Sequence, residues 1–155
     1  MTRCSDRLSG FPALPTFLPF LCSIDTNCIT NTISVMINLR DRTKRFAVKV
    51  FDLIDEIPET AKGRVVQRQL AKAASSAAAN YRAAQRSRSR ADFISKLSIA
   101  FEEIDESAFW LEFLPDTRLL SFESVSALLR EADELCAIVA SSRKTARANA
   151  KKEGR

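Results

Sequence analysis

Residues 64–114 constrain the fold more than any other stretch, because two long helical patterns there are separated by only a few polar residues. In the first pattern, Val66, Leu70, Ala73, Ala77, Tyr81 and Ala84 fall on one side of a helix drawn at roughly 100° per residue. Arg64, Arg68, Lys72, Arg82 and Arg86 fall on the opposite side, within about 80° of one another. In the second pattern, Phe93, Leu97, Ala100, Phe101, Ile104, Ala108 and Leu111 make a broad apolar stripe. Ser87-Arg88-Ser89 is the connection, and Ser89 with Asp92 three residues on has the form of a capping box. So short a loop returns the second helix antiparallel to the first. Ala73, Ala74, Ala77 and Ala78 leave room for a neighbour to approach closely.

Two further helices flank this hairpin. Leu39, Phe46, Val50, Leu53 and Ile57 recur on one helical face, and Pro58 stops the run by restricting the residue before it. Thr60 is placed to cap the next helix. Pro115 to Arg118 turns the chain, and Ser121 can cap a last helix with Phe122, Val125, Leu128, Leu129, Ala132, Leu135, Cys136 and Val139 on its apolar stripe. Helices of about 39–57, 61–87, 90–114 and 121–142 predict an all-α protein, an antiparallel up-down-up-down four-helix bundle spanning residues 38–142. A chain of 155 residues supplies enough core for one such domain.

The ends read differently. Residues 1–37 carry Pro12, Pro15, Pro19 and scattered cysteines without a helical period, and are expected to be a disordered leader or sequence upstream of a true start near Met36. Prolines interrupt the apolar run near Phe17–Leu21, which weakens a secretory-signal reading. Residues 143–155 form a basic tail, read as a fraying helix or as disordered. No apolar run approaches the ~18 residues of a membrane span. With a lone Cys136 suited to a reducing compartment, this places the chain in the cytoplasm.

The residue inventory argues against an enzyme. There is no histidine, no glycine-rich phosphate loop, and no nucleophile–base signature. Cys4, Cys22, Cys28 and Cys136 match no zinc spacing, so neither metal nor cofactor is expected. Glu102, Glu103, Asp105 and Glu106 are a candidate acid cluster, but paired or solvated charge explains them more simply.

Charge is segregated instead. Residues 61–90 hold eight Lys/Arg and no acid, whereas residues 91–114 hold six acids and one lysine. Arg64, Arg68, Lys72, Arg82 and Arg86, with Arg88 and Arg90 at the end of the stripe, are the candidate binding residues for RNA or DNA backbone. No aromatic residues interleave with them to stack bases, so contact with phosphate rather than sequence readout is expected. The competing reading pairs these cations with Glu102, Glu103 and Glu106, within or between subunits. A second, narrower stripe on the third helix holds Ile99, Glu103, Glu106 and Trp110 and ends at Leu114. It is the candidate face for self-association, with Trp110 as anchor. The plainer alternative is that Trp110 covers an end of the bundle beside Phe113.

The ordered set Arg68-Gln-Leu-Ala-Lys72, Ser76-Ala-Ala-Ala-Asn80-Tyr-Arg-Ala-Ala-Gln-Arg86, Asp92-Phe93, Glu102-Glu103-Ile-Asp105-Glu106 and Trp110-Leu111-Glu112 resembles a family of bacterial four-helix bundles. That family includes proteins encoded within 23S ribosomal RNA intervening sequences. It is related to the accessory proteins of diversity-generating retroelements. The resemblance runs from Ala47 to Leu114. It implies a homo-oligomer, a ring-like pentamer, with nucleic acid and a reverse transcriptase as partners in one branch. It makes Asn80, Arg82, Phe93, Glu106 and Trp110 mainly structural. The function expected is a non-enzymatic oligomer that binds nucleic acid electrostatically, with a structural adaptor for a protein partner as the other reading.

Overall fold

A computed structural model describes the backbone of residues 26–153 and the side chains of residues 39–152. Four helices follow one another: α1 (Thr26–Ile54), α2 (Ala61–Ala84), α3 (Arg90–Asp116) and α4 (Phe122–Glu153). Each packs on its neighbour in the chain, and α1 meets α4 more sparingly to close the bundle. Arg143 lies 4.6 Å over the Phe101 ring and Arg147 reaches Ser98, so the end of α4 lies beside the first half of α3. Lys62 at the start of α2 donates to the Thr117 carbonyl just past α3. These contacts run α2 against α3, and α3 against α4, in opposite directions.

The core follows the expected stripes except at two positions. Leu114, read on the outer stripe of α3, is fully buried, and Phe122, read on the apolar stripe of α4, is 61% exposed. Phe46, Leu70, Leu97, Ile104, Leu111, Leu114 and Leu135 are among the largest fully buried side chains. α2 contributes small residues, Ala73, Ala74, Ala77 and Ala84, all buried. Two buried hydroxyls are satisfied locally: Thr43 donates to the Arg40 carbonyl and Ser107 to that of Glu103. Burial pushes the Tyr81 phenol up to about 12.

Helix starts follow the sequence closely. The Thr60 side chain accepts from the Gly63 amide, Ser89 from that of Asp92 and Ser121 from that of Ser124. Gly63 is buried, and a Cβ there would run into the Pro58 carbonyl oxygen. Helix ends moved more. α1 stops at Ile54 rather than Ile57, because Pro58 turns the preceding residues into tight turns: the Glu56 and Ile57 amides donate to Leu53 and Ile54. α2 stops at Ala84 rather than Ser87, because the Arg86 and Ser87 amides bond three residues back to Ala83 and Ala84, which lengthens the connection to Gln85–Ser89.

α3 runs two residues past Leu114 and ends in a Schellman turn. The Leu119 amide donates to Leu114 O and the Arg118 amide to Pro115 O, with Arg118 at φ 56°. Buried Leu114 and Leu119 are the apolar pair of that motif.

Two helices run further than their apolar stripes, and in the tail the helical alternative holds over the disordered one. α1 begins at Thr26, well before Leu39, and α4 continues to Glu153 through the stretch read as a basic tail. The α4 extension lacks an apolar period, but its arginines lean on α3 through Phe101 and Ser98. Residues 1–25 lie outside the described residues, and with them most of the expected leader.

Candidate nucleic-acid interface and self-association face

α2 presents its cations outward because its alanine face is committed to the core. Arg64, Arg68, Lys72, Arg82, Arg86 and Arg88 are all exposed, and Arg90 at the start of α3 is half-buried. Arg64 has a partner: its guanidinium donates to the Glu59 carbonyl at 3.3 Å and lies 4.0 Å from the Glu59 carboxylate. Arg68, Lys72, Arg82, Arg86 and Arg88 make no ion pair with any described residue. No acid of α3 forms an ion pair with these five cations. The charge segregation in the sequence becomes a free cationic surface rather than an internal salt-bridge ladder.

The second stripe of α3 flanks its core face instead of lying opposite it, and Leu114 at its end is fully buried. Ile99, Glu103, Glu106 and Trp110 are each half-buried. The Trp110 indole N–H donates to Glu106 Oε1 at 3.2 Å, one turn back, so Glu106 fixes the ring. Trp110 also packs on the hydrophobic core and meets Phe109 and Phe113 edge-on, at centroid distances of 5.1 and 5.6 Å. Trp110 thus does cover this end of the bundle beside Phe113, as the plainer reading held. It also sits in an open aromatic cluster, since Phe109 is 53% and Phe113 36% exposed. Phe109 was not singled out from the sequence, although its i, i+4 spacing to Phe113 beside a tryptophan carries the signal. Glu103 Oε2 is buried without a hydrogen-bond partner, an arrangement that costs free energy unless something supplies a donor.

Among the described residues no group of three His, Cys, Asp or Glu side chains is disposed to hold a metal ion. An open depression on α1, lined by Asp41, Lys44, Arg45, Val48 and Lys49, brings no acid–base pair to an enclosed site. Cys136 is half-buried, and burial followed by the charges of Asp105 and Asp133 pushes its thiol up to about 11, away from nucleophilic use. No described helix is long and apolar enough to cross a membrane.

A family model for 23S rRNA-intervening sequence proteins matches residues 37–141, two-thirds of the chain. Among solved structures, the chain is similar to a protein of unknown function from the S23 ribosomal protein family of Bacteroides thetaiotaomicron. The two are 32% identical with a TM-score of 0.64, over 68% of this chain and 98% of that one. No curated protein matches.

Proposed function

The chain belongs to the 23S rRNA-intervening sequence protein family, and from that premise we propose that it is a non-enzymatic, self-associating bundle that binds nucleic-acid backbone through the basic face of α2. One observation carries the reading: five cations, Arg68, Lys72, Arg82, Arg86 and Arg88, stand in solvent with no ion-pair partner among the described residues. Arginine donors match phosphate oxygens in geometry and charge, and each neutralised phosphate releases a counterion. Without aromatic residues among the cations, the contact follows the backbone and leaves base sequence unread.

Self-association rests on α3. A half-buried stripe with an exposed Phe109–Trp110–Phe113 cluster is poorly served by water, and the orphaned Glu103 oxygen wants a donor. A second copy can supply both an apolar cover and a cation, and a ring of copies would multiply the basic field.

Fluorescence anisotropy with a labelled single-stranded RNA of mixed sequence, at low ionic strength, tests the binding reading. The wild-type chain binds, and Arg82→Glu with Arg86→Glu weakens it strongly while light scattering reports an unchanged mass. If the wild type fails to bind RNA or duplex DNA at low salt, and the oligomer nevertheless forms, the basic face serves something other than nucleic acid and the protein-adaptor reading replaces this one.

A further inference from the structure

The cations of α4 are fixed by the fold, and that changes where the basic surface lies. Because α4 stays helical to Glu153 and lies along α3 through Arg143–Phe101 and Arg147–Ser98, its last turns run toward the α2–α3 connection. At about 1.5 Å per residue, Lys151 sits about 6 Å beyond Arg147 in that direction, level with the first turns of α3. Arg82, Arg86 and Arg88 occupy the same end on α2, which lies diagonal to α4 across the bundle, with helix axes about 13 Å apart. Residues 82–96 and 143–152 together hold ten Lys/Arg and a single acid, Asp92.

The other end of the bundle has the opposite sign. Residues 52–64 and 112–123 hold seven acids and three bases, and one of those bases, Arg64, is the cation that pairs with Glu59. A phosphate chain following α2 from Arg86 to Arg64 would run into that acidic end.

We propose that the polyanion-contacting surface is the basic end of the bundle, where Arg82, Arg86 and Arg88 act together with Lys144, Lys151 and Lys152 of α4 on one stretch of nucleic-acid backbone. This inference rests on the nucleic-acid reading above and narrows it. The α2 cations nearest the acidic end, Arg64 and Arg68, contribute little. The α4 lysines, which lie in the stretch read as a fraying or disordered tail, contribute as much as the arginines of the hairpin. Helical backbone holds them in place before the ligand arrives, so little ordering cost opposes their contact.

Two variants of the full chain separate these statements, measured by anisotropy with mixed-sequence single-stranded RNA at 0.1 M salt. The α4 variant carries Lys144→Gln, Lys151→Gln and Lys152→Gln, which are exposed and leave the Arg143 and Arg147 contacts with α3 intact. The α2 variant carries Arg64→Gln and Arg68→Gln. Circular dichroism checks that both retain helix. The expected result is a loss of about a hundredfold in affinity for the α4 variant, three phosphate contacts' worth of counterion release, and less than about threefold for the α2 variant. Absence of binding by the wild type sinks the nucleic-acid reading itself. Wild-type binding that the α4 variant retains, or that both variants weaken in proportion to charge removed, leaves that reading standing and overturns the basic-end assignment.

Discussion

The seam between α1 and α4 offers the sharpest test of how the bundle is held. It is the most sparsely packed of the adjacent pairs, and a polar clasp crosses it. Arg42 Nε lies 2.6 Å from Glu131 Oε1 and Nη2 lies 2.9 Å from Oε2, while Nη2 also donates to Glu134. The Arg42 and Glu131 side chains are 25% and 29% exposed, so the pair is mostly withdrawn from solvent, whereas Glu134 is 63% exposed. A charge-assisted hydrogen bond contributes about 1.5–3 kcal/mol when well buried, and an exposed ion pair about 0.2–1 kcal/mol. A bidentate pair at intermediate exposure falls between, at about 1–2 kcal/mol, with Glu134 adding under about 0.5 kcal/mol. A double-mutant cycle of Arg42→Met and Glu131→Gln, read by urea denaturation, isolates that coupling. Arg42→Met alone lowers Tm by about 4–8 °C for a domain of this size. Hydrogen bonds to Glu131 first, then Glu134, hold the guanidinium above its ordinary value. A raised folded value means that the stabilisation is fully present below the ordinary guanidinium range and lost only as pH rises through the raised one. From this pair, no alkaline loss of stability appears between about pH 7 and 10. A coupling below about 0.3 kcal/mol, within the noise of exposed pairs, would refute the reasoning.

Other outcomes follow from single positions. Gly63→Ala removes about 2 kcal/mol or more in urea titrations, despite alanine's better helix propensity, because its methyl group meets the Pro58 carbonyl; a neutral result would mean that the α1–α2 turn yields easily. Arg118→Gly raises stability by about 0.5–1 kcal/mol, since a left-handed backbone suits glycine and the Schellman bonds need no side chain there. Trp110→Ala reduces the mass seen by light scattering if the aromatic cluster on α3 is the association face, and an unchanged oligomer removes that face. In a chain with Cys4, Cys22 and Cys28 replaced by serine, Cys136 is alkylated slowly at pH 8. Its rate rises as pH approaches about 11, where the buried thiol ionises; rapid alkylation at pH 8 contradicts the burial account.

The hairpin was legible because its signals are local and agree with one another. Ser89 before Asp92 marks a start, an alanine-rich stripe marks a close approach, and Phe93 through Leu111 repeats on one face. Caps at Thr60, Ser89 and Ser121 could be placed for the same reason, since each needs only its own side chain and an amide three residues away. The α4 extension was not legible. No apolar period runs through Arg143–Lys152, and the contacts that hold it are a guanidinium on a ring and an arginine on a serine hydroxyl, pairings that periodicity does not encode. The candidate site was half legible. Pattern placed the cations of α2 on one face, but their freedom from the acids of α3 depends on which way the two outer faces point. The end-to-end separation of charge depends on helices far apart in sequence finishing at the same height.

The salt dependence of binding tests the central claim most directly. Affinity of the wild-type chain for single-stranded RNA, measured by anisotropy from low to moderate salt, is plotted as log K against log salt. Six cations on the backbone predict a slope of about −4, equal across unrelated sequences. A slope near zero, or affinity that follows sequence and ignores salt, contradicts the account.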